Sequence, residues 1–397
     1  MTPWMLWLVA CGGDPGRPTT PTPQPTAATG VTGATSHTGA VTTGEGQLVV
    51  DGVDGEVRSP VLAAGADGGW YVAFARDDAD GYTRAYVARS DDGDTFGAPV
   101  ALSEPGYDVQ ARWPGGPDLV VAGDRVLLAF VAGEGASYVA HVVQAGTDLA
   151  DPQRVAEVTI PPDYHTLTYP TLAVDDDGQA LVAMIAAPFL DGRLWLARER
   201  FGWSVEDVTV ASPLEPPCEC CPPALHVRPD GEVVVAWRGD IAKEIFVAYG
   251  PDDGPIERFE VATATGVSGP LCPLDGPQLF EEAGELQLAW SDTRTDGASA
   301  FWSTRGAKAW SHTPIAPLDG LEQWRVAVAG EGESRVFAWE IGLKQSYRWA
   351  EAGADEGQVL AGPTGPLREV RAATRAGYGW AVGVDEEGSL WLVSLTP

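Results

Sequence analysis

The chain has 397 residues, with 56 Asp and Glu against 25 Lys and Arg, and a formal charge of −31. An acidic excess of this size repels phosphates and anionic headgroups alike, which excludes an electrostatic nucleic-acid binder and direct adhesion to a membrane surface. With 48 Gly and 32 Pro long helices are not expected, while 44% apolar residues and 15 Trp supply a large core, so the composition points to many short strands.

Residues 3 to 10, PWMLWLVA, are uncharged and mostly apolar, too short to cross a bilayer, and stop at Cys11 and two glycines. We read 1–10 as a signal peptide. The run Leu8-Val9-Ala10-Cys11 resembles the bacterial lipobox, which implies cleavage before Cys11 and a lipid on its thiol. Residues 11–46 are Thr, Pro, Gly and Ala with almost no large apolar side chain, so nothing there offsets the entropy of ordering. They form a tether with a reach of roughly 30 Å. The expected location is the bacterial cell envelope, at the outer membrane or in the periplasm, with membrane contact only through the anchor.

Residues 47–397 repeat. A glycine turn followed by an alternating strand ending in Ala plus a large residue recurs, as in GGWYVAFA, GDRVLLAF, GQALVAM, GEVVVAW, GELQLAW and GESRVFAW, with a weaker seventh copy in GYGWAVGV. A second strand carrying an aromatic follows each copy, marked by Tyr86, Tyr138, Trp195, Phe246, Phe301, Tyr347 and Trp391. A third strand, led in by proline or arginine, precedes each glycine (SPVLAA, GPDLVV, YPTLAV, PPALHV, GPQLFE, WRVAVA, VRAATR). The spacing, roughly 44 to 57 residues, fits one four-stranded blade per repeat. Such a unit cannot bury both faces alone, whereas units packed around an axis can. The fold class is therefore all-β, a β-propeller of seven blades, with six as the alternative count. The last copy ends after three strands, and QLVVDG at 47–52 is expected to close its sheet and remove an exposed edge.

ARSDDGDTFGAPV (88–100), STRGAKAW (303–310) and YGPDDGPIERF (249–259) resemble the Asp-box turns of bacterial sialidase-like propellers. PCECCPPAL (217–225) with LCPLDGPQL (271–279) resembles a subgroup of secreted sialidase-like proteins with this cysteine pattern. The family's activity would be exo-glycosidic, using three arginines on a sugar carboxylate, a Tyr nucleophile and an Asp acid. By that resemblance Arg58, in VRSP, is the first arginine; Arg238, Arg294 and Arg325 are the others available, and Asp77 and Asp78 lie where the acid is expected. No Tyr–Glu pair stands out.

In a propeller, the segment leading into each first strand and the loop between the second and third strands open on one face, near the channel. That sorting places Arg76, Arg112, Tyr169, Asp240, Glu244, Asp292, Trp324 and Glu340 beside the residues just named as ligand-binding candidates. Arginines gathered on one rim of an acidic protein suit an anionic group, because the guanidinium grips carboxylates bidentately; the bland alternative is that Arg and Asp pair within the loops. Cys218, Cys220 and Cys221 lead into the fourth repeat and Cys272 into the fifth. An oxidising compartment favours disulfides among these four. A soft-metal site for copper or zinc, with His165 as a further ligand, and a reactive thiol remain the alternatives. The expectation is a monomeric envelope lipoprotein that binds a glycan or protein at its channel face without a cofactor. An exo-sialidase-like hydrolase is the first alternative and a copper- or zinc-binding propeller the second.

Overall fold

The computed structural model describes residues 46–395 apart from 53–54, 112–114, 135–136, 161–165, 188–191, 213, 264–275, 296, 308, 316–322, 331–334, 342–345, 352–357 and 376–377. The strands fall into seven antiparallel sheets, the blades of a β-propeller, numbered one to seven here in chain order. The seven-blade count holds over six. Blade one is typical, with Val57–Ala64 innermost, then Trp70–Asp77, Thr83–Ser90 and a short outer Val100–Ala101. Short helical turns occur at Glu199–Phe201 and Val208–Ala211.

The ring closes as the truncated last repeat requires. Arg368–Arg375, Tyr378–Val384 and Leu390–Ser394 make three strands of blade seven, and Gln47–Val50 supplies the fourth, pairing Gln47 with Leu392 and Leu48 with Trp391. Both ends of the propeller domain thus share one sheet, and that sheet's open edge is covered.

Burial explains why the second strands read as almost unbroken apolar runs. Trp70 through Ala75 are each 0% exposed, because alternate side chains enter two different interfaces. In blade two's Arg125–Glu134, Val126, Leu128 and Phe130 pack on Tyr71, Ala73 and Val87 of blade one. Leu127, Ala129 and Val131 face Val182, Met184 and Trp195 of blade three. The same division recurs around the ring, so every blade is held by two neighbours and none has a core of its own. Full burial of one large side chain contributes about 1.5–3 kcal/mol.

The turn after Thr83–Ser90 shows why its residues take that order. Asp92 Oδ1 accepts from the Asp94 and Thr95 amides at 2.8 and 3.1 Å, and Ser90 Oγ accepts from the Gly93 amide at 2.8 Å. Gly93 sits at φ +87°, and a Cβ there would press on Trp70.

Candidate functional site at the channel mouth

The innermost strands carry a shared irregularity near their starts. Register slips between Arg58 and Val61 in blade one, Thr168 and Thr171 in blade three, Trp324 and Val326 in blade six, and Arg368 and Arg371 in blade seven. At these bulges Ser59, Tyr169, Arg325 and Glu369 hold φ of 49°, 54°, 40° and 52°. A bulge re-aims its side chain, and here the side chains link neighbouring blades. The Ser59 amide donates to Glu369 Oε2 of blade seven at 2.6 Å, and the Ser59 hydroxyl donates to the Gly115 carbonyl leading into blade two at 2.7 Å. The Tyr169 ring lies where a Cβ on Gly115 would be, and the Pro222 carbonyl where one on Gly276 would be. Glycine in GGP (115–117) and GP (276–277) is thus fixed by close approach between adjacent blades.

Inside this ring lies a cavity of about 310 Å³ lined by all seven blades, with Ser59, Asp118, Tyr169, Thr171, Gln278 and Arg371 as its polar members among several prolines. Asp118 Oδ2 accepts from the Leu172 amide at 2.7 Å. Burial pushes the Asp118 carboxyl up to about 6, against the opposing pull of the Leu172 and Leu119 amides and of the Arg371 charge. Tyr169 was among the residues expected here; Ser59, Asp118, Gln278 and Arg371 were not. For Ser59, Asp118 and Gln278 the signal was a polar side chain beside the proline of an otherwise apolar inner strand, whereas Arg371, in VRAATR, has no proline beside it.

The charged candidates separate by burial. In blade one, Arg58 donates to Glu56 Oε2 at 2.8 Å and to Asp77, and the Arg58 and Glu56 side chains are 30% and 67% exposed. Asp78 accepts the Tyr86 hydroxyl on both oxygens at 2.7 Å, Arg84 approaches it to 3.1 Å, and the Arg76 guanidinium lies 4.4 Å over the Tyr86 ring. Burial raises the Tyr86 phenol, and the hydrogen bond to Asp78 raises it further. Such a hydroxyl keeps its proton, so this tyrosine is braced rather than activated as a nucleophile.

On the other side of the ring the same kind of residue is sealed. Arg238 is 2% exposed and donates to the Ser291 carbonyl of blade five at 2.8 Å and to the Lys243 carbonyl at 3.0 Å. Glu244 accepts from the Thr263 hydroxyl at 2.6 Å, and Asp292 is buried. Arg325 is ion-paired with Glu340, each side chain 2% exposed. Arg112, His165, Cys272 and Cys11, and the side chains of Arg294 and Trp324, lie outside the described residues.

The segment leading into blade four is the most compact cluster. The Cys218 amide donates to the Arg238 carbonyl at 2.7 Å and the Cys221 amide to the Cys218 carbonyl at 3.2 Å, folding the chain into a turn. This turn brings the three buried sulfurs of Cys218, Cys220 and Cys221 within 4.8 Å of one another, with 3.1 Å between those of Cys218 and Cys220. Glu215 Oε2 accepts from the Ile241 and Ala242 amides and holds the neighbouring loop, from which Lys243 Nζ reaches Asp240 at 3.2 Å and Cys218 Sγ at 3.9 Å.

No family model matches the chain, and no curated protein does. Solved structures do resemble it. An α-L-arabinanase of Penicillium chrysogenum, complexed with arabinobiose, superposes with a TM-score of 0.52 at 11% identity, over 89% of this chain and 98% of that one. A Hadza microbial sialidase superposes with a TM-score of 0.51 at 14% identity, over 88% of this chain and 68% of that one. At these identities the likeness is one of fold: this chain is a propeller of the architecture that sialidases and arabinanases share.

Proposed function

We propose that the chain is a lipid-anchored protein of the bacterial cell envelope whose propeller binds a glycan at the channel mouth. The observation that carries this reading is the cavity encircled by all seven blades. Its volume lies at the lower end of ligand pockets, about 300–1,000 Å³, which suits a terminal sugar better than a long chain. Its chemistry fits as well. The Tyr169 ring and the prolines give apolar faces for the C–H side of a sugar, while Asp118, Gln278 and Arg371 offer an acceptor, an amide and a fork of donors for hydroxyl or carboxylate groups. The bulge at Tyr169 and the Leu172 amide on Asp118 fix part of this lining before any ligand arrives, which lowers the entropy lost on binding.

The test is a glycan array probed with the full chain in detergent. Binding to a defined terminal sugar, abolished by Tyr169→Ala or Arg371→Ala in a protein that melts normally, is expected. An array without hits overturns the glycan reading in favour of a protein partner. Turnover of a fluorogenic sialoside that disappears in Arg58→Ala would replace binding by exo-glycosidase activity. Labelling with a radioactive fatty acid that is lost in Cys11→Ser tests the anchor.

A further inference from the structure

The geometry points to a copper(I) site at the mouth of blade four, formed by the thiolates of Cys218, Cys220 and Cys221 and flanked by Lys243. It is independent of the glycan reading and gives the propeller a second function, holding a soft metal ion.

Three features of this cluster carry the inference. The first is the number and spacing of the sulfurs. All three lie within 4.8 Å of one another and all are buried, at 1%, 5% and 0% exposure. Three sulfurs about 2.3 Å from one metal, the usual zinc–thiolate length, stand about 4 Å apart when arranged in a plane around it, so small side-chain rotations complete the set. A single disulfide could join only two of the three, and the 3.1 Å between the Cys218 and Cys220 sulfurs exceeds the ~2.05 Å bond length.

The second feature is the ligand class. Thiolates select soft ions, and copper(I) accepts three of them. Among the described residues the cluster offers three ligand atoms.

The third is Lys243, one of only three lysines in the chain. Its backbone is held at φ 57° while its carbonyl accepts from Arg238, and its ammonium is directed to Cys218 Sγ at 3.9 Å. A non-glycine residue in the left-handed region persists only where the surroundings impose it. When the three thiols bind copper(I), each releases its proton to solvent, and three thiolates with one monovalent ion leave a charge of about −2. An adjacent ammonium offsets part of that charge, and Asp240 at 3.2 Å holds the ammonium in place.

The test uses the full chain purified anaerobically with a reductant and titrated with copper(I) against a chromogenic copper(I) chelator. One ion per chain is expected, with a thiolate-to-copper absorption band and an affinity that rises with pH as the protons leave. Lys243→Gln leaves the ligands and the fold in place and should weaken binding by about 10-fold, the usual effect of an outer-shell partner. Cys218→Ser, Cys220→Ser and Cys221→Ser should each weaken it more. The assignment is overturned if the reduced wild-type chain takes up no copper(I), if the triple serine variant binds as well as wild type, or if Cys272→Ser abolishes uptake and stoichiometric zinc outcompetes copper(I). Because the wild-type titration and Lys243→Gln avoid the cysteines, misfolding of a serine variant cannot mask the outcome.

Discussion

Arg58 and its partners at the mouth of blade one are partly solvated, whereas the arginines of blades four and six, Arg238 and Arg325, are sealed. Arg58 and its partner Glu56 are 30% and 67% exposed, while Arg325 and Glu340 are each 2% exposed. Arg238 is as deeply buried as Arg325. Three arginines that look equivalent in the repeat pattern, Arg58, Arg238 and Arg325, therefore do different things. An exposed guanidinium can exchange its carboxylate partner for a ligand at little cost, but one in a dry ion pair cannot without stranding a buried charge. Access to an anionic ligand is therefore expected on blade one's side of the mouth, and rigidity on the other.

The sharpest way to break this contrast is to remove one member of the sealed pair. Arg325→Ala takes away the guanidinium paired with the buried Glu340 carboxylate, and should cost about 3–5 kcal/mol in chemical denaturation. Arg325→Met combined with Glu340→Leu removes both charges and should recover most of that loss. If the single variant costs less than the double, burial does not make these two charges depend on each other.

A smaller effect is expected at Asp118, which sits between the two extremes on the channel wall. Its carboxyl is pushed up to about 6 by burial, above the ordinary value of 3.8. Between those two values the folded chain keeps a proton that the unfolded chain has lost, so stability falls as pH rises through that window and levels off above it. Asp118→Asn should remove that part of the decline, about 2 kcal/mol when discounted for water entering the cavity. Urea midpoints at pH 4, 5, 6 and 7 measure it, and equal slopes for the variant and wild type would show that the carboxylate is well solvated.

The repeat was readable because blade packing imposes it on composition: every second strand must face two interfaces, which produces runs such as Trp70 through Ala75 and the glycine turns between them. The closing strand was readable from the missing fourth strand of blade seven. The mouth was less so. Proline or arginine at the head of each inner strand was visible in the sequence, but not that the residue there adopts positive φ and ties adjacent blades together, as Ser59 does with Glu369 and Gly115. That bond joins residues 310 positions apart, and no local pattern encodes it. Burial of Arg238 and Arg325 was equally hidden, since periodicity places a residue on a face without giving its depth. The three clustered cysteines were conspicuous from spacing alone, because CECC leaves the sulfurs few ways to separate.

The smallest effect belongs to the exposed pair. Arg58→Ala removes contacts to Glu56 and Asp77 that solvent already screens, so it should change stability by less than about 1 kcal/mol. Its consequence should appear in binding instead. A ligand bearing a carboxylate would lose its reachable guanidinium, while one without a negative charge would be unaffected. Comparing Arg58→Ala with wild type on paired acidic and neutral sugars separates those cases, and raising the salt concentration should weaken only the acidic one. If Arg58→Ala costs as much stability as Arg325→Ala should, exposure does not govern the worth of these pairs, and the two sides of the mouth are alike after all.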